Sequence, residues 1–207
     1  MTDIDASNRI DGRSARSERT RRAIVAAHLG LIDEGDLKPT GERIAERAGV
    51  SLRTLWTNFK DMETLFAATG ELVKEKQDSI HRPISPELPL TERVEEFCQQ
   101  RSEVLEMLAP SARASQLREP FSAQLRKNRA GNIARVTRQL EEVFAPEITM
   151  AGASREQLLN ALTVACTWSA WSMMRDELHM SVDDARDVMS RTVAALLVAA
   201  IAAAGLR

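Results

Sequence analysis

Between Arg43 and Phe59 the chain reads RIAERAGVSLRTLWTNF, and a single glycine divides this stretch into two short helical runs. Ile44, Ala45, Val50, Leu55 and Phe59 recur so that two helices can share a small core, while Ala45 and Ala48 let their axes approach closely. Gly49 supplies the positive-φ residue that a tight turn between helices requires. Ser51 then stands where a helix needs a side-chain acceptor for its first free amides. With the apolar residues turned inward, Leu52, Arg53, Trp56, Thr57 and Asn58 are left on the outer face of the second helix. This is the grammar of a helix-turn-helix, whose second helix enters the major groove of DNA. An aromatic at Trp56 is out of place on such a face unless something covers it; the alternative is that it folds back as core.

The rest of the chain also reads as helix. No period-2 alternation appears, aromatic residues are 4% and tyrosine is absent. Helical spacing and caps predict helices over about 17–34, 40–48, 51–59 and from 61 past 73. Pro83, Pro86 and Pro89 then break the chain. Beyond them a helix from Thr91 is expected to stop at Pro110, short helices to lie around Ser111, Pro120 and Phe121, and a long helix to cover 122–143, ending before Pro146. Ser154 with Gln157, and Ser181 with Asp184, read as capping boxes opening helices over about 155–178 and 182–204. The expected fold class is all-α, divided into a flexible basic arm (1–16), a three-helix helix-turn-helix head (17–64) and a larger helical domain (65–207) for ligand binding and dimerisation.

A net charge of −2 carries no global signal for nucleic acid, so a basic surface must be local. Arg9, Arg13, Arg16, Arg19, Arg21 and Arg22, opposed by Asp11 and Glu18, provide one beside the head. Cys98 and Cys166 in apolar surroundings suggest free thiols, and the N-terminus has no apolar leader, so a cytoplasmic location is expected. The uncharged stretch 157–174 is too polar for lipid, and 192–204 is too short to span it. No membrane partner is expected; such helices want protein on both faces. His28, His81 and His179 are scattered, no phosphate loop or nucleophile elbow occurs, and the adjacent acids Glu95, Glu96, Glu141 and Glu142 read as solvated. No catalytic residue, cofactor or metal is expected.

Ile44, Ala45, Ala48, Gly49, Val50, Ser51, Thr54, Leu55, Trp56 and Phe59, followed by Lys60, match an "IA-x-x-AGVS-x-x-TLY-x-x-F" run. In this the segment 17–73 resembles the DNA-binding head of the tetracycline-repressor (TetR) family, with Trp56 in place of the usual tyrosine. The resemblance implies a homodimer on a palindromic double-stranded DNA operator, with Leu52, Arg53 and Trp56 toward bases and Thr40, Thr54, Thr57, Asn58 and Lys60 at phosphates. Ser51 belongs to the same contact set. Arg53 is the candidate for a bidentate guanine contact, against the alternative of an ion pair with Glu42 or Glu46. The arginine-rich arm would add a grip on the DNA backbone or minor groove.

In the last helix Ala185, Met189, Thr192, Leu196, Ala199 and Ala203 form one apolar stripe and Val193, Leu197, Ala200 and Ala204 its neighbour. Two stripes imply two partners, and the first is taken as the dimer interface in the two-fold four-helix bundle that the resemblance implies. Which stripe faces the second subunit is left open. Phe97, Met107, Phe121, Trp168, Trp171 and Met174 are the candidate ligand-binding residues, and they suit a hydrophobic or amphipathic small-molecule effector. The expected function is a ligand-responsive repressor. The alternatives are a helix-turn-helix protein without an effector and an all-helical enzyme.

Overall fold

The computed structural model describes the backbone of Asp3–Gly205 and the side chains of 14–205, and every regular element among these residues is a helix. The chain divides into two units, Met1–Glu75 with Pro110–Asn128, and Lys76–Ala109 with Arg129–Arg207.

The first unit opens with α1 (Asp3–Asp33), which starts well before the expected Ser17 because no proline interrupts residues 3–16. The basic arm expected over 1–16 is thus helical from Asp3; Met1, Thr2 and the side chains of Arg9 and Arg13 lie outside the described residues. Gly35, at φ 96°, closes α1 as its amide and that of Asp36 return to the Ile32 and Leu31 carbonyls. Helices α2 (Gly41–Arg47) and α3 (Leu52–Asn58) follow, joined through Gly49 at φ 66°. Ile24, Leu31, Ile44, Leu55, Phe59 and Leu65 bury the seam shared by α1, α2, α3 and the start of α4 (Met62–Ile80). This is the small core expected from the spacing.

The head is larger than the expected 17–64. Gln124 N donates to Glu63 Oε2 (2.9 Å) and Asn128 Nδ2 to the Phe66 carbonyl (3.1 Å). The Asn128 amide fills the space over Gly70, where a Cβ would stand 2.6 Å from Nδ2. These side-chain bonds to α4 draw the short 3₁₀ turn Glu119–Phe121 and the beginning of α6 (Ala123–Val143) into the first unit.

Helix α5 (Leu90–Gln116) runs through Pro110 instead of stopping there. Proline's fixed φ is helical and it forfeits one backbone bond, while Leu108, Ala109 and Ala114, all buried, hold the helix on either side.

The second unit buries Phe97, Leu105, Leu140, Phe144, Leu162 and Trp171 with the inner face of α10 (Val182–Gly205). Phe97 meets Phe144 edge to face with ring centroids 5.5 Å apart. Beside them Arg93 forks onto Glu147 (2.6 and 2.9 Å) and also donates to the Val143 and Leu88 carbonyls, so this buried ion pair is saturated. Pro146 lies in the first turn of α7 (Ala145–Met150), where a missing amide costs nothing.

The helix expected over 155–178 is broken into α8 (Arg155–Ala165), α9 (Trp168–Ser172) and a π-helical turn, Met173–Glu177. Ser154 ends a 3₁₀ turn and makes no capping bond, whereas Ser181 caps α10: Asp184 N donates to Ser181 Oγ at 3.1 Å, which donates to Asp184 Oδ2 at 2.6 Å. The break falls at Cys166 and Thr167, where Thr167 is extended and the freed Cys166 carbonyl accepts from Arg101 Nε at 2.7 Å. A cation at a helix C-terminus complements the backbone dipole there. By length and composition α10, which contains an 18-residue window of mean hydropathy 1.8, is apolar enough to cross a membrane; its inner residues Ala185, Met189, Val193 and Leu197 are buried in the protein core.

Candidate nucleic-acid interface and effector cavity

The outer face of α3 is held rigid from three sides. At its start Ser51 Oγ accepts from Thr54 N (3.0 Å) and bonds Thr54 Oγ1 (2.8 Å). At its end Asn58 Nδ2 returns to the Thr54 carbonyl (2.8 Å), and Thr57 Oγ1 to that of Arg53 (2.8 Å). From α1, Arg21 donates to the Asn58 carbonyl (2.8 Å) and lies over the Phe59 ring, 4.2 Å from its centroid. Leu52 and Trp56 remain 36% and 38% exposed, and Arg53, Thr57 and Lys60 are exposed as well. Thr54 and Asn58 are half-buried and committed to capping. Arg53 forms no ion pair with Glu42 or Glu46 among the described residues, so its guanidinium faces solvent.

Thr40 caps α2 by accepting from Arg43 N at 3.4 Å, and Arg43 pairs with Asp36 at 2.6 Å. Trp56 lies over the first turn of α2 because position 41 is glycine: a Cβ there would meet Trp56 Cζ2 at 2.7 Å and Leu52 Cδ1 at 3.3 Å. Trp56 therefore neither folds into the core nor stands free; one edge rests on Gly41 and the other is open.

Sequence reasoning missed Gly41 and counted Arg21 with the basic arm. Only the packing of α1 on α3 shows that Arg21 holds the end of α3, a contact between residues 37 apart with no local signal. Of the other basic residues, Arg22 pairs with Glu18 (3.1 Å) and Arg16 and Arg19 are exposed. Elsewhere in this unit His28 is buried, its Nδ1 bonded to Thr69 Oγ1 at 2.8 Å, and burial together with nearby Arg118 lowers its pKa to about 4.

In the second unit a cavity of about 30 Å³ lies between the end of α4, α5 and α6. Gln77, His81, Arg101, Arg135 and Gln139 line it together with Ile84, Phe97 and Val104. Of the six residues expected at a ligand, only Phe97 lines this space. Trp171 is fully buried, its indole N–H donating to Glu106 Oε1 (2.7 Å), which also receives Arg175 Nε (3.1 Å), and Met174 is buried in the same core. Met107 and Trp168 are half-buried, Trp168 against that core. Phe121 is 91% exposed and belongs to the first unit, at the end of the 3₁₀ turn that contains Pro120. Composition revealed large apolar side chains but not which way each helix turns them.

The stripe expected at the dimer interface divides. Ala185 and Met189 are buried within the subunit, whereas Thr192, Ala199 and Ala203 are exposed and Leu196 is half-buried. Leu196, Ala199 and Ala203 line an open apolar groove of about 310 Å³ with Met150, Leu158 and Ala161. The inward line continues by steps of four through Val193 and Leu197, leaving Val188 and Val198 to the outside. Each step of four overshoots a full turn by about 40°, so the buried line Ala185, Met189, Val193 and Leu197 winds around α10 away from the stripe, whose alternating steps of four and three keep it on one side of the helix.

No known family model and no curated protein sequence matches the chain. Two solved structures resemble it. A TetR-family ascription accompanies the one from Mesorhizobium loti MAFF303099, which is 19% identical over 91% of this chain and 98% of its own, at a TM-score of 0.33. The crystal structure of a transcriptional regulator from Rhodococcus sp. Rha1 is 18% identical over 89% of this chain and 97% of its own, at a TM-score of 0.56. Over nearly all of its length, then, this chain shares its fold with a transcriptional regulator.

Proposed function

We propose that this protein is a TetR-type transcriptional repressor that binds a palindromic DNA operator as a homodimer and is released by a small amphipathic molecule. The observation that carries the proposal is the exposed triad Leu52, Arg53 and Trp56 on a helix fixed at both ends. A guanidinium with no partner among the described residues, on a rigid helix, is suited to the bidentate reading of guanine, and Lys60 and Thr40 flank it for phosphates. Two such helices about 34 Å apart would meet successive major grooves. The face of α10 bearing Thr192, Leu196, Ala199 and Ala203, with the groove beside α8, is the surface we assign to the second subunit.

For release, α4 supplies the covalent link. Leu65 and Phe66 are buried in the first unit and Gln77 on the same helix lines the cavity of the second. An effector that displaces Gln77 shifts α4 and with it the separation of the two heads in the dimer. The size of the cavity favours a second reading, in which the protein binds DNA without an effector, because about 30 Å³ is far below the roughly 300 Å³ of a typical ligand site. Gel shift on DNA flanking the protein's own gene tests the first step. Failure of the purified protein to prefer any such fragment over random duplex would refute regulation at that site. Retained binding in the presence of every effector tried would favour the second reading.

A further inference from the structure

We infer that the cavity of the second unit takes an organic anion, a carboxylate with an apolar tail, whose headgroup is held by Arg101. This rests on the effector-responsive reading above and names the class of effector. Arg101 is 7% exposed, and its only hydrogen bond among the described residues runs from Nε to the Cys166 carbonyl. No carboxylate pairs with it among those residues. Among the described residues the other buried arginine shows how differently a structural arginine is treated: Arg93 has the forked carboxylate of Glu147 and two carbonyls. A buried guanidinium without a counter-charge is costly, and the fork left open on Arg101 matches a carboxylate in two-point geometry.

Nothing near Arg101 among the described residues supplies the missing charge. Burial lowers its pKa to about 10, and the adjacent Cys166 thiol is pushed up to about 12 by its own burial, so it stays neutral at physiological pH. The other cation on the lining, Arg135, is already paired with Asp78 at 2.6 Å. Around the headgroup position stand the amides of Gln77 and Gln139, and Phe97, Val104 and Val143 provide apolar surface for a tail. The volume of about 30 Å³ corresponds to roughly one water molecule, so the headgroup takes a small solvent site and the tail must open the wall. That wall includes His81 and Ile84, on the non-helical segment after α4, which is tied by single bonds, from His81 N to the Asp78 carbonyl (3.3 Å) and from Arg82 N to Gln100 Oε1 (2.9 Å), where a helix would have a continuous ladder.

The test uses the full-length protein with decanoate and phenylbutyrate, each compared with its primary amide and its alcohol, by calorimetry and thermal melting. The acids should bind roughly 10- to 100-fold more tightly than their neutral counterparts, and Arg101→Gln should abolish that preference while leaving weak binding of the tails. Arg101→Lys should retain part of it. Neutral compounds binding as tightly as the acids, or no acid binding at all, would overturn the inference; this comparison needs only the unaltered protein, so it stands even if the Arg101 variants fail to fold. Gel shifts run alongside separate the two claims. Acids that bind without releasing DNA would uphold this site and sink the effector mechanism, whereas DNA binding with equal affinity for acids and amides would sink this site alone.

Discussion

The indole of Trp56 lies so close over Gly41 that a single added methyl there would stand 2.7 Å from Cζ2. Two residues from different helices thus set the angle at which the exposed edge of the tryptophan leaves the head. Gly41→Ala should push the ring aside at a cost of about 1–3 kcal/mol, the usual range for overpacking, and weaken operator binding. Trp56→Phe removes the atom in conflict, so the double variant should be less impaired than the two single effects added together. A double-mutant cycle by gel shift and melting checks this. Strict additivity would mean that the contact does not position the ring.

Arg53→Ala should cost about 1–3 kcal/mol at the operator and relax preference at one base pair in each half-site. Lys60→Ala should weaken all duplexes alike and reduce the salt dependence of binding. Selection from a randomised site library distinguishes the two. Unchanged specificity in Arg53→Ala would remove that side chain from base reading.

Ala199→Glu should convert the dimer to a folded monomer. Ala199 is exposed in the subunit, so a charge there leaves the fold within about 0.5 kcal/mol of its original stability while blocking an apolar interface. Met189→Glu should behave in the opposite way and unfold the subunit, because Met189 is 1% exposed and inside the core. Light scattering and thermal melting of the pair decide it. A stable dimer of Ala199→Glu would exclude this face of α10 from the interface.

His28 should make the protein acid-sensitive. Its ordinary pKa of 6.5 is lowered to about 4, first by burial and then by Arg118, with Asp36 acting in the opposite sense. The unfolded chain takes up this proton below about pH 6.5 while the folded chain resists until about pH 4, so stability is complete above 6.5 and declines as pH falls toward 4. At pH 5 the loss should be about 2 kcal/mol relative to pH 7. Urea unfolding of the protein and of His28→Gln at both pH values isolates this contribution. An equal pH dependence in the two would assign the sensitivity to other groups.

Much of the first unit was legible along the chain because its determinants are local. The apolar spacing of Ile44, Ala45, Leu55 and Phe59 reappears as the buried seam, Gly49 takes the positive φ of the turn, and Thr40 and Ser51 cap the helices they were expected to cap, as Ser181 does in the second unit. Each depends on neighbours within a few residues, where helix geometry leaves little choice. Prolines were less informative: Pro110 sits inside α5 and Pro146 opens α7, since what a proline does depends on whether packing on both sides holds the helix together.

From the residues alone came the all-helical architecture, the turn and the identity of the outward residues on α3, because periodicity and capping act through bonds between near neighbours. Folding decided what joins distant parts of the chain: Arg21 on the Asn58 carbonyl, Gly41 beneath Trp56, and Arg101 on Cys166, 65 residues away. It also turned Met189 inward and Phe121 outward, although both are apolar and lie in helical stretches. An apolar side chain says only that it favours burial. Which surface receives it, and which buried charge is left without a partner, is set by the packing of whole helices against one another.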